Sequence, residues 1–242
     1  MTLEFTSTVI GAYLLGAVPA AYLIAKWARG IDLRQHGSGN VGASNVITVV
    51  SKRWGIAVIA FDLLKGMVAV YMARWIGLDI VQQVAAGLAT IVGHNWSVFL
   101  RFSSGRGGLT TAGVAIAVAP WLGLSLLAFT LILGLFRQLA LGMILAVAAL
   151  PACSWFLSQP LGITEDPEDV LPLSLGFLAI FLVTLIRRLT VPRAAIAASV
   201  STGELIVNRL LFDRDIRDRE TWIHRTPIQT KPDKPEGKKG EG

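Results

Sequence analysis

Long apolar stretches joined by short polar connections dominate this chain and leave it one class of fold. Residues 9–25 carry no charged side chain, and further apolar stretches follow at 54–77, 80–100, 108–120, 121–136, 139–157 and 170–186. Hydrocarbon offers no partner to a backbone N–H or C=O, so such stretches cross a bilayer as helices, and about 20 residues make one crossing. Hydrophobic residues are 53% of the chain and charged residues 16%, and mean hydropathy is +0.60. The expected fold is all-α: a polytopic membrane protein of about seven transmembrane helices.

Charge sets the expected topology. Residues 108–136 are long for one helix and short for two. A turn at Pro120-Trp121-Leu122-Gly123 puts Lys26, Arg29, Arg34, Lys52, Arg53, Arg101, Arg106, Arg137, Arg187, Arg188 and Arg193 on one side. Arg74 and the acidic run Glu165-Asp166-Pro167-Glu168-Asp169 then fall on the other. The positive-inside rule gives an N-terminus outside and a C-terminus inside. The first stretch has Glu4 before it and Lys26 and Arg29 after it, the reverse of a signal peptide, so it reads as an uncleaved span.

Three segments are expected: a membrane domain over 1–193, a cytoplasmic amphipathic and charged segment over 194–225, and a disordered tail over 226–242. Within the second, Leu205, Val207, Leu210 and Leu211 recur loosely at the helical period, with Arg209 near them. The tail lacks apolar residues to bury. Its lysines inflate the net charge of +6, which therefore gives no ground for a nucleic-acid partner. One cysteine, Cys153, allows no disulfide framework, and His36, His94 and His224 have no metal-ligand spacing. Neither a metal nor a cofactor is expected.

Two loops carry the chemistry. In 31–45, Gly37, Ser38, Gly39, Asn40, Gly42 and Asn45 leave the backbone free to aim N–H groups at an anion. Ser38 offers a donor to a phosphate or carbonyl oxygen, Asn40 and Asn45 can orient polyol hydroxyls, and Arg34, Lys52 and Arg53 supply charge. In 101–108, Gly105, Arg106, Gly107 and Gly108 precede an apolar helix, whose N-terminus favours an anion, with Arg106 as the clamp. The alternatives are a tight connection for the first loop and a topological anchor for the second. Asp62 and Lys65 share a helix face as a structural or functional pair, and His94-Asn95-Trp96 either reach the site or bond a backbone carbonyl. Two oxyanion cradles against one bilayer point to a phosphorylated substrate. A small transporter is the alternative from another class, because intramembrane charges also suit an ion path.

The residues Asp32-Leu33-Arg34, 36–46, Asp62 with Lys65-Gly66, Val92-Gly93-His94, Val98-Phe99-Leu100, Phe102 and Gly105-Arg106-Gly107 follow in an order and spacing that resemble one family. It is the bacterial acyl-phosphate-dependent glycerol-3-phosphate acyltransferases of the PlsY type. The resemblance implies a multi-pass enzyme of the bacterial inner membrane, moving a fatty acyl group from acyl phosphate to glycerol 3-phosphate to give lysophosphatidate for phospholipid biosynthesis. It implies that Ser38 and Arg106 are catalytic. It implies that Gly37, Gly39, Asn40, Asn45, Gly105, Gly107, Lys65, His94 and Arg53 bind substrate. The expected partners are those two substrates and membrane lipid. The chain departs from the family at Thr48 and Ser103, which stand where the family has basic residues, and at Gly203 and Ile206, where it has a histidine and an asparagine. A member with a changed acceptor or without catalysis is the reading those departures leave open.

Overall fold

The computed structural model describes residues 2–224; the tail expected to be disordered, 226–242, lies outside the described residues. These residues fold into helices α1 Leu3–Ala17, α2 Ala20–Arg29, α3 Ala43–Val49, α4 Lys52–Trp75, α5 Ile80–Asn95, α6 Gly108–Val118, α7 Pro120–Leu135, α8 Leu139–Leu157, α9 Val170–Thr190, α10 Thr202–Phe212 and α11 Arg219–Ile223. Four segments are long and apolar enough to cross a membrane: α1 with α2, α4, α8, and α9 with its preceding turn. Large apolar side chains such as Leu131, Ile132, Leu145, Phe156, Leu175 and Leu182 lie on the outside, as lipid permits and water does not.

α1 and α2 are one apolar run broken at Val18-Pro19. Pro19 has no N–H, and the Ala20 N–H donates to the Val18 carbonyl at 3.1 Å, so Gly16 and Ala17 lose their helical donors. Two side chains from elsewhere replace them. Lys65 Nζ donates to the Gly16 carbonyl at 3.1 Å and Ser97 Oγ to the Ala17 carbonyl at 2.5 Å.

α4 and α6 run parallel and close. A Cβ on Gly66 would lie 2.4 Å from the Thr110 carbonyl oxygen, and one on Gly113 would lie 2.0 Å from that of Leu63. Further along, the Arg74 guanidinium donates to the Ala117 carbonyl at 2.9 Å. Gly66 is about 21 Å along α4 from Lys52 at 1.5 Å per residue. α6 therefore starts deep beside α4, and the loop before it is sunk among the helices. That is why α6, largely buried, has only 11 residues.

α6 stops at Val118 and α7 starts with Pro120 as its first residue. A Cβ on Gly123 would meet the Ile116 nitrogen at 2.2 Å, which requires the chain to double back. The expected turn at 120–123 is thus present, one residue early, with Pro120 in the first helical position where its missing N–H costs nothing. The expected stretch 80–100 differs: α5 ends at Asn95, because Ser97 turns toward Ala17 and the non-glycine residues Arg101 and Phe102 take left-handed φ values of 52° and 61°.

α10 closes the end that holds the loops. Arg188 donates to the Leu210 carbonyl at 2.6 Å and to the Ala140 carbonyl of α8 at 2.8 Å. Within the amphipathic segment expected over 194–225, the helix that carries Leu205, Val207, Leu210 and Leu211 covers Thr202–Phe212, and it is buried through Leu205, Asn208 and Arg209 while Val207 and Leu211 are exposed.

Candidate active site

The first loop is built around Asn45. Its Oδ1 accepts the Ser38 N–H at 3.1 Å, and its Nδ2 donates to the carbonyls of Leu33 (3.2 Å), His36 (3.0 Å) and Asn40 (3.0 Å). A buried carboxamide has few further bonds to give, so Asn45 shapes the loop and is not available to orient a polyol. Gly37 and Gly39 take φ of 57° and 66°, and the Asn40 N–H donates to Ser38 Oγ at 3.4 Å. Arg34 is held by Asp32 through two guanidinium nitrogens, with Nη2 to Oδ2 at 2.6 Å. That hydrogen bond holds the Asp32 carboxyl below its usual range against the opposing effect of burial. The bond is thus present above the usual carboxylate range and is lost only as pH falls below it.

The second loop lies against the first. A Cβ on Gly105 would sit 2.7 Å from the Val41 carbonyl oxygen and 2.1 Å from His94 Nε2, so only glycine fits between them. Arg187 of α9 also holds the loop: its Nε donates to the Gly105 carbonyl at 2.8 Å and its Nη2 to that of Ser104 at 2.7 Å. Gly107, at φ 71°, caps α6 beside the buried Asn95, whose carboxamide has no hydrogen-bond partner among the described residues. Arg106 is at the expected place but already carries a load, an ion pair and a hydrogen bond to Asp213.

Beneath the contact of the two loops, Asp62 and Lys65 pair at 2.8 Å, and Lys65 Nζ is also 2.8 Å from His94 Nδ1. All three are buried, and His94 Nδ1 is 3.5 Å from Asp62 Oδ1. Each charge meets its opposite, which is what keeps it among apolar helices. A narrow polar crevice lined by Asp62, His94, Val41 and Ser104 reaches Val18 and Pro19 at the helix break. On the outer side of the break, an apolar groove of about 320 Å³ runs along Tyr22, Leu23, Phe99 and Leu100.

Of the expected site residues, Gly37, Ser38, Gly39, Asn40 and Asn45 form the first cradle and Gly105, Arg106 and Gly107 the second, with Lys65 and His94 below. Arg53 is not drawn in: it is exposed on the first turn of α4 and makes no hydrogen bond or ion pair among the described residues. At the family's basic position, Thr48 is exposed and its hydroxyl donates to the Ser44 carbonyl at 3.0 Å. Gly203 and Ile206 are exposed, while Arg209 is held by Asp215 at 2.7 Å. Sequence reading missed Arg187, Ser97 and Asp213. Arg187 was masked by its role in the positive-inside count; its signal is a second arginine in the last turn of an apolar helix, more charge than an anchor needs.

The family model for glycerol-3-phosphate acyltransferase matches residues 6–194. Two relatives from Dehalococcoides mccartyi are similar over nearly their whole length. Glycerol-3-phosphate acyltransferase 5 of strain ATCC BAA-2266 is 47% identical over 96% of this chain and 99% of its own. Glycerol-3-phosphate acyltransferase 4 of strain CBDB1 is 45% identical over 93% of this chain and 95% of its own. Among solved structures, PlsY (YgiH), an integral membrane glycerol 3-phosphate acyltransferase in its glycerol 3-phosphate form, is 32% identical with a TM-score of 0.68, covering 89% of this chain and 96% of that one. By sequence, by length and by fold, this chain belongs to the glycerol-3-phosphate acyltransferase family.

Proposed function

We propose that this chain transfers a fatty acyl group from acyl phosphate to the 1-hydroxyl of glycerol 3-phosphate, giving lysophosphatidate and inorganic phosphate in phospholipid biosynthesis. The observation that carries the reading is the convergence of the two glycine loops, with Gly105 wedged between Val41 and His94 in a chain of this family. Acyl phosphate is already activated, so the enzyme's task is to align two phosphate-bearing molecules and stabilise the carbonyl oxyanion. The acceptor oxygen forms a bond to the acyl carbon, the bond from that carbon to the phosphate oxygen breaks, and phosphate leaves. The hydroxyl proton passes to a substrate phosphate. Ser38 orients the reacting groups from the first cradle, and Arg106 and the Gly105 to Gly107 backbone hold phosphate from the second. The apolar groove beside Val18 and Pro19 suits the acyl chain, since it opens toward lipid next to the polar crevice.

The topology belongs to the same reading: seven spans, N-terminus out and C-terminus in, at a bacterial inner membrane. Support comes from the end at which the cations gather. Asp213 of the C-terminal segment binds Arg106, Glu220 lies 3.9 Å from Arg137, and Arg188 ties α8 to α10. Arg74 lies at the far end of α4, beside the end of α6. The division into a membrane domain over 1–193 and a cytoplasmic segment over 194–225 rests on the same grouping. The deciding experiment reconstitutes the purified protein in lipid and supplies palmitoyl phosphate with labelled glycerol 3-phosphate. Labelled lysophosphatidate is the expected product; no product where a typical family member works defeats the reading.

A further inference from the structure

Arg106 is reached from the far end of the chain. Its Nη1 donates to the backbone carbonyl of Asp213 and pairs with the Asp213 carboxylate, so both oxygens on that nitrogen come from a residue beyond 194, where the match to the family model ends. The pair is largely sheltered, the two side chains being 14% and 22% exposed, which limits the screening that makes surface pairs weak. Asp213 is itself fixed. It caps α10 in the left-handed conformation, at φ 58°, and its N–H donates to the Arg209 carbonyl at 3.2 Å. Arg188 of α9 stands 3.8 Å from its carboxylate. Arg106 also starts from a fixed point, because Arg187 holds the carbonyls of Ser104 and Gly105 just before it.

A guanidinium is planar, so two oxygens holding one of its terminal nitrogens leave it little freedom to turn. Nε and Nη2 of Arg106 have no hydrogen-bond partner among the described residues. Those two nitrogens share one edge, and that edge can give parallel bonds to two oxygens of a phosphate. Asp213 therefore engages one corner of the guanidinium and leaves a bidentate edge free. The balance of charge agrees. Arg106, Arg187 and Arg188 bring three positive charges to this end, Arg187 makes no ion pair among the described residues, and Asp213 supplies one negative charge. That excess offsets the repulsion between the carboxylate and a dianion. We propose that Asp213 is a positioning residue for glycerol 3-phosphate: it sets the Arg106 guanidinium so that the free edge meets the substrate's phosphate. It acts through Arg106, not by touching substrate.

This rests on the acyltransferase reading, so the test carries one readout that needs no turnover. Asp213→Gly removes the carboxylate and suits the left-handed backbone. In lipid, with palmitoyl phosphate and labelled glycerol 3-phosphate, the KM for glycerol 3-phosphate should rise roughly tenfold, within the range of coupling in one ion-pair network. The kcat and the KM for palmitoyl phosphate should change far less. In an Arg106→Ala background Asp213→Gly should add nothing, the signature of a residue that works through Arg106. Calorimetric titration with glycerol 3-phosphate alone should show a rise in Kd of the same size, roughly tenfold, and the same non-additivity. An inactive parent that binds glycerol 3-phosphate in this Asp213-dependent way sinks the transfer reading and keeps the proposal. An unchanged KM and Kd would make Asp213 only a cap for α10, and a lower KM would make its carboxylate a competitor of the substrate. An equal effect without Arg106 would take the guanidinium out. Each of these overturns the proposal, as does a parent that does not bind glycerol 3-phosphate. If Asp213→Gly fails to fold, Asp213→Asn, which keeps the cap, should raise KM and Kd about threefold, since a neutral acceptor holds a guanidinium roughly half as strongly; unchanged values there overturn it equally.

Discussion

At the scale of single residues, the same chemical group can serve the fold or the substrate, and hydrogen-bond bookkeeping separates them. Asn45 has every one of its side-chain bonds inside the first loop, so Asn45→Ala removes the acceptor of the Ser38 N–H and a donor shared by three carbonyls, and should destabilise the protein on the order of 3 kcal/mol. Thermal melting in lipid checks this, and a melting temperature equal to the parent's would refute the loop-shaping role. Ser38 should behave differently. Ser38→Ala removes one hydroxyl from a loop whose geometry Asn45 maintains, so acyl transfer should fall by orders of magnitude with the melting temperature nearly unchanged. Full activity in that variant takes Ser38 out of the mechanism. Arg106 stands between these cases, because Asp213 holds one of its terminal nitrogens. Arg106→Ala should cost about 1.5–3 kcal/mol of phosphate interaction, roughly ten- to a hundredfold in turnover or apparent affinity, with Arg106→Lys recovering much of it. Equal kinetics in both variants and the parent would leave Arg106 a topological anchor. The sequence shows which residue types sit in the loops. It does not show that Asn45 is spent on carbonyls or that Arg106 is shared with Asp213, since those partners are set by a folded loop and by a helix about a hundred residues away.

At the scale of elements, periodicity and polarity located the helices well where both faces are apolar and poorly where a helix is broken to make the site. α4, α8 and α9 lie close to the expected stretches because each is a long run with caps or charges at its ends. The break at Pro19 was hidden inside one apolar run, as its cost is met by Lys65 and Ser97, which are remote in sequence. α10 shows the opposite failure. Its spacing of apolar residues implies an apolar face turned inward, yet of that face only Leu205 is buried: Arg209 bonds the Leu189 carbonyl of α9 and the Asp215 carboxylate, Asn208 bonds the Asp215 carbonyl, and Ile206, Val207 and Leu211 lie outside. A helix seated by buried ions is vulnerable to losing one partner. Asp215→Ala leaves Arg209 buried without its counter-charge and should destabilise the protein by about 3–5 kcal/mol, whereas Arg219→Ala, on an exposed pair, should be near neutral. If Asp215→Ala melts with the parent, the ionic docking of α10 is not what holds it.

At the scale of the whole molecule, one end gathers both glycine loops, the C-terminal helices and most of the arginines, and the other holds Arg74 and the acidic run. A soluble phosphate-bearing acceptor can reach only the end facing its own compartment, so orientation is part of function. The proposed topology, drawn from the positive-inside rule, turns the loop end toward the cytoplasm, and removing the native thiol by Cys153→Ala allows that proposal to be tested residue by residue. Ser103 and Glu165 are both exposed, so either makes a reactive site once replaced by cysteine. In intact cells, a membrane-impermeant thiol reagent should label Glu165→Cys and leave Ser103→Cys unmodified. After permeabilisation both should label, which separates shielding by the membrane from burial in the protein. Labelling of Ser103→Cys from outside in intact cells would invert the orientation and put the acceptor site in the wrong compartment for a cytoplasmic polyol phosphate. Labelling of both from outside would instead mean that 108–136 does not cross twice, because the turn at Pro120 is what puts 103 and 165 on opposite faces.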